Sequence, residues 1–291
     1  MIERIAILGT GLLGTSAGLA LRAAGFSGSI TGWNRSPEQA QIAWEMHAID
    51  SVADDPLEMA RTNQVVLLSV PVFAILDWME QLAGVMGPDQ LITDVGSTKA
   101  TITEAADRHF NRPGRATFLP GHPMAGKERG GAALADASLY RDAVWLFTED
   151  PTWKRTERAA ALIADWRMWV ERMGAKCIDL NAMRHDELVA WVSHLPQFLA
   201  TALSALLEDS VGDAPELKDV GGRGLREMTR LGASPYSMWR DIAHTNTDPI
   251  AKAIFALEQR LAHIRENLRT PELRKEFEKA NQFRKDTSSS H

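Results

Sequence analysis

Residues 5–14 read Ile5-Ala6-Ile7-Leu8-Gly9-Thr10-Gly11-Leu12-Leu13-Gly14, an apolar run followed by a Gly-x-Gly-x-x-Gly turn and the start of a helical pattern. The apolar run is typical of a buried parallel strand. In such a turn Gly9 permits the tight bend, Gly11 lets the backbone approach a pyrophosphate, and Gly14 lets helix and strand pack closely. The helix N-terminus presents its free N–H groups to the phosphates. The stretch predicts a dinucleotide site contacted by residues 9–14.

The composition is that of an ordinary globular chain and argues against several classes of protein. At 291 residues, with 45% hydrophobic and 24% charged residues, it is long enough for two domains. A net charge of −6 without a long basic run predicts neither nucleic-acid nor membrane-surface binding. The single cysteine, Cys177, cannot form an internal disulfide and suits a reducing compartment. We expect a cytoplasmic protein without a signal peptide or membrane span, and a frayed polar tail over residues 285–291.

Strand and helix patterns alternate along residues 1–179, which we interpret as the first domain. Helical patterns, such as 72–82 and 153–172, separate six further strand patterns at 30–33, 65–70, 91–95, 116–119, 143–147 and 175–179. This alternation predicts an α/β fold of the Rossmann type, a doubly wound parallel sheet whose ligands bind beyond the carboxyl ends of the strands.

Candidate functional residues stand at those strand ends. Ser69, Val70 and Pro71 follow one strand and are expected to contact the cofactor, while Ser97 and His122 follow the next two. His122 is the candidate general base, because an unperturbed imidazole titrates near pH ~6.5 and can accept a hydroxyl proton. Ser97 could orient His122 or bind the same substrate oxygen. The plainer alternatives are a helix N-cap for Ser97 and local backbone hydrogen bonds for His122.

The end of the second strand indicates which dinucleotide binds. An acidic residue there would accept hydrogen bonds from the adenosine ribose, whereas this chain has Asn34-Arg35-Ser36. An amide, a guanidinium and a hydroxyl can together hold a phosphate dianion, so we expect NADP, with NAD as the alternative. The alternative interpretation is a solvated loop whose arginine binds no ligand, because such a loop could have the same sequence.

Residues 180–291 show no strand pattern and are interpreted as a second, all-helical domain. Helices are expected at residues 182–207, 216–231, 235–245 and 249–268. Pro196 lies inside the first of these and should kink it. Such a domain alone would expose much apolar surface, which predicts a homodimer formed through the helices.

The second domain contributes further candidate side chains. Arg226, Arg230 and Arg240 are possible carboxylate clamps, since a guanidinium binds a carboxylate through two hydrogen bonds, although surface ion pairs would also explain them. We expect no metal site, because the spacing of His185, Asp186 and His194 does not suit one.

Together these motifs resemble the prephenate/arogenate dehydrogenases of tyrosine biosynthesis. The resemblance runs in order over almost the whole chain and rests on residues 9–14, 94–99, 121–128, 185–186, 193–196, 229–230 and 238–242. The segments His122-Pro-Met-Ala-Gly126 and Ser193-His-Leu-Pro196 are its most specific parts. It implies a helical second domain similar to the C-terminal domain of 6-phosphogluconate dehydrogenase.

The resemblance implies an oxidative decarboxylation. Hydride leaves the carbon bearing the ring hydroxyl for the nicotinamide, the hydroxyl loses its proton, and the ring carboxylate departs as carbon dioxide. His122 matches the family's catalytic histidine and Ser97 the serine beside it. Arg230 matches the arginine that binds a substrate carboxylate, and Ser193 a residue near the substrate side chain.

Two departures from the family pattern bear on substrate and cofactor. Gln197 stands where many prephenate-using members have a second histidine contacting the substrate side chain. Since an amide can donate to a keto group or accept from an ammonium, both prephenate and arogenate remain open as substrates. Asn34 to Ser36 replace the acidic residue of NAD-dependent members. More distant alternatives are a β-hydroxyacid dehydrogenase, whose lysine base has no counterpart here, and a non-catalytic NADP-binding redox sensor.

Overall fold

The computed structural model describes residues 1–288. Its larger sheet is parallel and six-stranded, in the order β3-β2-β1-β4-β5-β6. The strands are β1 Arg4–Leu8, β2 Ser29–Trp33, β3 Ser51–Val52, β4 Val65–Leu68, β5 Leu91–Asp94 and β6 Thr117–Leu119. The order reverses direction between β1 and β4, which is the switch point where ligands bind in such sheets. This confirms the predicted Rossmann-type fold; the two-residue β3 carried no sequence signal of its own.

Helices cover both faces of this sheet. They are α1 Leu12–Ala23, α2 Pro37–Glu45, α3 Pro56–Thr62, α4 Val72–Leu82, α5 Ala100–His109 and α6 Glu157–Arg172. Side chains of β1 alternate between two cores: Ile5 and Ile7 pack with α1 and α6, whereas Ala6 and Leu8 pack with α3, α4 and α5. Burial on both faces explains the continuous apolar run in the sequence.

A second, three-stranded sheet follows β6. It consists of β7 Gly121–Pro123, β8 Val144–Phe147 and β9 Lys176–Asp179, with β7 antiparallel to β8 and β8 parallel to β9. The sequence prediction of strands at 143–147 and 175–179 is confirmed, but they belong to this separate sheet. His122 therefore lies in a strand, paired in register with Leu146, and not in a turn.

The remainder of the described chain is helical, as predicted. It contains α7 Ala182–Val189, a π-helical turn at Ala190–His194, α8 Leu195–Val211, α9 Leu217–Val220, α10 Arg223–Thr229, a 3₁₀ turn at Arg230–Ala233, α11 Tyr236–Thr245, α12 Thr247–Glu266 and α13 Glu272–Ser288. The single helix predicted over 216–231 is wrong, because it breaks at Gly221 and Gly222 and ends in the 3₁₀ turn. The frayed tail is also wrong for residues 285–288, which lie in α13; residues 289–291 are outside the described part.

The helical run Ala182–Val211 contains Pro196 and has no Asp, Glu, Lys or Arg between residues 189 and 207. Pro196 has no N–H for the carbonyl one turn back, and the wider π turn just before it accommodates that loss. By length and composition alone the run could cross a membrane, contrary to our expectation, although a core or interface helix passes the same test. It is mostly exposed within one protomer, which makes its apolar face available to a partner.

Candidate active site

The glycine turn between β1 and α1 has the geometry that a pyrophosphate requires. Gly9 adopts φ +105°, and a Cβ there would lie 2.2 Å from the carbonyl oxygen of Ser69. A Cβ on Gly14 would lie 2.1 Å from the Gly9 oxygen, so only glycine lets α1 approach β1 this closely. A Cβ on Gly11 would meet nothing within 4 Å, which leaves space beside the helix N-terminus.

Polar groups at this edge also lack protein partners. The hydroxyls of Thr10 and Ser69 are buried and have no hydrogen-bond partner within residues 1–288. Ser69 follows β4 directly, and Val70 and Pro71 lead into α4 across the switch point from the glycine turn. Buried hydroxyls are normally satisfied, so these two fit a bound polar group such as a cofactor.

The loop after β2 carries the residues predicted to bind the 2′-phosphate on the adenosine ribose of NADP. The Asn34 carboxamide oxygen accepts a hydrogen bond from the Ser36 N–H at 3.0 Å, which fixes the loop just before α2. Arg35 is exposed and, in the described part of the chain, forms no ion pair with an acidic residue. The loop therefore presents a free guanidinium where NAD-binding folds place a carboxylate.

His122 stands at one end of a chain of buried hydrogen bonds. It is 7% exposed, and its Nδ1 lies 2.8 Å from Nε2 of His185 on α7. Nδ1 of His185 lies 2.8 Å from Oδ1 of Asp186. The Asp186 carboxylate also accepts hydrogen bonds from the backbone N–H groups of Lys99 (2.7 Å) and Ala100 (2.9 Å) at the start of α5. The two parts of the chain thus meet at the candidate base.

A buried ion pair between Lys99 and Asp94 lies next to this chain. Asp94 ends β5, and its carboxylate also accepts hydrogen bonds from the backbone of Gly96 (2.8 Å) and Gly121 (3.0 Å). Gly121 precedes His122, so the carboxylate ties the end of β5 to the strand that holds the candidate base. Both charged side chains are fully buried, so removing either partner would leave an uncompensated charge in the interior.

The surroundings lower the pKa of His122 well below its ordinary value. Burial is the largest cause, followed by the nearby His185, Lys99 and His194 side chains, which disfavour a further positive charge. Burial likewise lowers the pKa of His185, opposed by Asp186, and brings the pKa of His194 to about 4. His122 is therefore neutral at pH 7 and able to accept a proton.

Ser97 lies half-buried in the turn between β5 and α5, one strand end away from His122. It is not the N-cap of α5, so that alternative is wrong: the helix begins at Ala100, and Asp186 from α7 takes the capping position. The Ser97 hydroxyl has no partner in the described residues, which leaves it available to a ligand.

The helical part places the other predicted substrate residues around one turn. Arg230, at the start of the 3₁₀ turn, forms an ion pair with Glu128, which lies six residues after His122. Ser193 is half-buried in the π turn. Gln197 is 4% exposed; its amide donates to the Leu231 carbonyl at 2.8 Å and accepts from Ser234 at 3.1 Å. Gln197 thus fixes the turn that carries Arg230.

The other candidate arginines have different positions. Arg226 is exposed on α10, and Arg240 is paired with Asp241 at 2.7 Å beside the ring of Phe73. Asp241 also accepts the N–H of Phe73 at the start of α4, so this pair joins α11 to the nucleotide-binding part.

Sequence reasoning missed the contribution of His185, Asp186 and Lys99. The first two entered only as unsuitable metal ligands and as a segment of the family resemblance, with no role assigned at His122; the described residues hold no cluster of His, Cys, Asp and Glu arranged for a metal. An adjacent His-Asp pair within α7 was the available signal, but nothing local indicated that it faces His122, 63 residues earlier.

Two family models match most of the chain. Residues 17–178 match the nucleotide-binding domain of prephenate dehydrogenase, and residues 181–282 match its dimerization domain. A prephenate dehydrogenase of Lactococcus lactis is 30% identical over 264 residues, which cover 90% of this chain and 70% of that relative.

Solved structures of the same kind superpose on the whole chain. The prephenate dehydrogenase of A. aeolicus, in complex with hydroxyphenyl propionate and NAD⁺, gives a TM-score of 0.82 at 27% identity, covering 99% of this chain and 96% of that one. A Synechocystis arogenate dehydrogenase gives 0.75 at 27% identity, covering 98% and 99%. The matched nucleotide-binding domain and the NAD⁺ complex support a nicotinamide dinucleotide as cofactor. The fold, the glycine turn and the buried histidine agree with these matches. The chain belongs to the prephenate dehydrogenase family of NAD-dependent oxidoreductases.

Proposed function

We propose that the chain catalyses the NAD(P)-dependent oxidative decarboxylation of prephenate to 4-hydroxyphenylpyruvate. The observation that carries this is His122, a buried and neutral imidazole held at the meeting point of the nucleotide-binding sheet and the helical part. Arogenate is the alternative substrate, supported by the similar Synechocystis structure and by Gln197 in place of a histidine.

The chain's own residues account for the proton and the charges in this reaction. A bound nicotinamide supplies the hydride acceptor. His122 accepts the proton of the ring hydroxyl as hydride leaves the carbon that bears this hydroxyl. Ser97 holds the hydroxyl oxygen by a hydrogen bond. The C–C bond to the ring carboxylate then breaks, its electron pair enters the ring, and carbon dioxide departs. His122 returns the proton to the phenolate oxygen, so atoms and charges balance.

Steady-state turnover of the purified protein with prephenate and arogenate, each paired with NAD and NADP, tests this proposal. We expect the highest kcat/KM with prephenate and NADP. A highest value with arogenate would select the alternative, and no turnover in all four pairs would overturn the proposal. A β-hydroxyacid dehydrogenase or a redox sensor would give that last result.

We propose NADP as the preferred cofactor because Arg35 is exposed and forms no ion pair within residues 1–288, in the loop after β2 where a dinucleotide fold selects its cofactor. A charge-assisted hydrogen bond contributes about 1.5–3 kcal/mol, so Arg35→Ala is expected to raise KM for NADP roughly 10- to 100-fold while KM for NAD changes little. The measurement is initial rates over a cofactor series. Arg61→Ala, at an exposed arginine on α3, is the matched control. Equal changes in KM for both cofactors would contradict the assignment.

We propose that Arg230 binds a substrate carboxylate, with Ser193 and Gln197 close to the substrate side chain. Arg230 exchanges its ion pair with Glu128 for the substrate when the latter binds. Arg230→Ala is expected to raise KM for prephenate roughly 10- to 100-fold and to change kcat much less, as measured by initial rates at saturating cofactor. Arg223→Ala, which removes an exposed arginine seven residues earlier at the start of α10, should leave KM unchanged. A loss confined to kcat would argue against the clamp.

We propose a cytoplasmic homodimer, with the helical residues 180–291 as the dimerising part and residues 1–179 as the cofactor-binding part. Support comes from the match to a dimerization domain and from large apolar side chains that are exposed in one protomer: Leu206, Val220, Tyr236, Phe255, Phe277 and Phe283. Apolar exposure on this scale is unusual for a free monomer surface.

A further inference from the structure

Asp186, His185 and His122 form an unbroken line of hydrogen-bonding atoms in the protein interior. The Asp186 Oδ1 to His185 Nδ1 and His185 Nε2 to His122 Nδ1 distances are both 2.8 Å. His185 is completely buried and Asp186 is 2% exposed. Only His122 faces the strand-end edge where cofactor and substrate would meet, so the other two act on the reaction through it.

The directions of these hydrogen bonds follow from the Asp186 carboxylate. Its two oxygens accept the backbone N–H groups of Lys99 and Ala100 at the start of α5, where the helix dipole favours a negative charge. A charged carboxylate can only accept, so Nδ1 of His185 must carry a hydrogen and donate it.

The same logic continues along the line to the candidate base. Neutral His185, with its hydrogen on Nδ1, has a lone pair on Nε2 and accepts a hydrogen bond there. Nδ1 of His122 must therefore donate, which leaves the lone pair of His122 on Nε2. This is the only arrangement of hydrogens that satisfies all three side chains, and it places the basic atom on the free side of the ring.

The charged and titratable groups around this line are few. His122 faces His185 on α7, Lys99 before α5 and His194 in the π turn. His185 faces Asp186, Lys99 and Asp94. Lys99 is ion-paired with Asp94, and the Asn246 amide joins His194 (3.2 Å) to the carbonyl of Asp186 (2.9 Å). Lys99 forms its direct ion pair with Asp94 and acts on Asp186 only through its longer-range charge, so within the described residues the carboxylate bonded to His185 is that of Asp186.

We propose that His185 and Asp186 are positioning residues that hold His122 in the tautomer with a basic Nε2 and share the positive charge it gains from the substrate hydroxyl. The proposal rests on the proposed function of His122. When Nε2 of His122 takes the proton, the Nδ1 hydrogen strengthens its bond to His185, and the negative charge of Asp186 lies at the far end of the line. No proton leaves the site, since His122 returns it to the product.

Two substitutions at His185 separate positioning from packing. His185→Gln keeps an oxygen that can accept from Nδ1 of His122, whereas His185→Leu keeps most of the volume and no acceptor. We expect kcat to fall ~10²-fold or more in His185→Leu and clearly less in His185→Gln, with KM for prephenate within about threefold in both. Asp186→Asn, which removes the charge that stabilises protonated His122, should also lower kcat and should lower the pH at which the remaining activity levels off. Arg184→Ala, an exposed neighbour on α7, is the matched control.

A measurement without substrate or cofactor tests the tautomer directly. In ¹⁵N-histidine-labelled protein, long-range ¹H–¹⁵N spectra assigned with a His122→Asn variant should show His122 protonated on Nδ1, and a mixture of tautomers in His185→Leu. His122 protonated on Nε2 in the unaltered protein would overturn the proposal, whether or not any variant folds. So would kcat values of His185→Leu and Asp186→Asn equal to that of the unaltered protein. Absence of turnover in the unaltered protein would instead overturn the proposed function.

Discussion

His122→Asn should lower kcat by ~10²- to 10⁴-fold while leaving KM for substrate and cofactor nearly unchanged. General base catalysis by a positioned side chain contributes a factor of this size, and asparagine cannot take up the proton. The residue is buried in β7, in a short strand paired with β8, and asparagine is smaller than histidine, so the fold should tolerate the change. Steady-state kinetics with prephenate and the preferred dinucleotide give the result.

The matched control for this substitution is His47→Asn. His47 is exposed and adopts φ 58°, a conformation that asparagine accepts more readily than most residues. It should therefore retain full activity and stability. If His122→Asn turned over at the unaltered rate, His122 would not be the base, and the non-catalytic alternative would regain support.

Mild acid should destabilise the protein strongly, because three buried histidines fold in their neutral form. The pKa values of His122, His185 and His194 all lie below the ordinary value, chiefly through burial. The unfolded chain therefore binds more protons than the folded one below pH ~6.5, and stability present above that pH is lost as the pH falls. With a folded pKa of about 4, His194 alone should lower the free energy of unfolding by about 2 kcal/mol between pH 7 and pH 5.

Urea unfolding at pH 7.5, 6 and 5, at one fixed protein concentration, measures this loss. His194→Asn should flatten the dependence on pH, since it removes one of the three titrating groups. His263→Asn, at an exposed histidine on α12, should leave the slope unchanged. Equal stability at pH 7.5 and 5 would mean that the three imidazoles are not held neutral in the folded protein.

Features with a local cause were predictable from the sequence. The glycine turn, the strand runs buried on two faces and the bounds of α4 follow from residues within one or two turns of chain. The same holds for the position of Arg35 after β2, of Ser97 after β5 and of His122 three residues after β6, since the carboxyl ends of parallel strands share one edge. Family membership followed from motifs that keep their order along the chain.

Features that depend on distant partners were not predictable in this way. The break in 216–231 and the separate sheet of β7, β8 and β9 arise from packing that no local pattern records. The sequence predicts Gln197 as a substrate contact, but nothing in it indicates that the Gln197 amide also donates to the Leu231 carbonyl, 34 residues away.

His122 shows most clearly which properties follow from the sequence and which follow only from the tertiary structure. Its residue type and its place after β6 are visible in the sequence, and these are sufficient to nominate it as the base. Its protonation state, its tautomer and its low pKa come from His185 and Asp186, 63 and 64 positions later, and from the buried Lys99. Hydrogen-bond direction and desolvation depend on which atoms meet in space, and only the tertiary structure decides that.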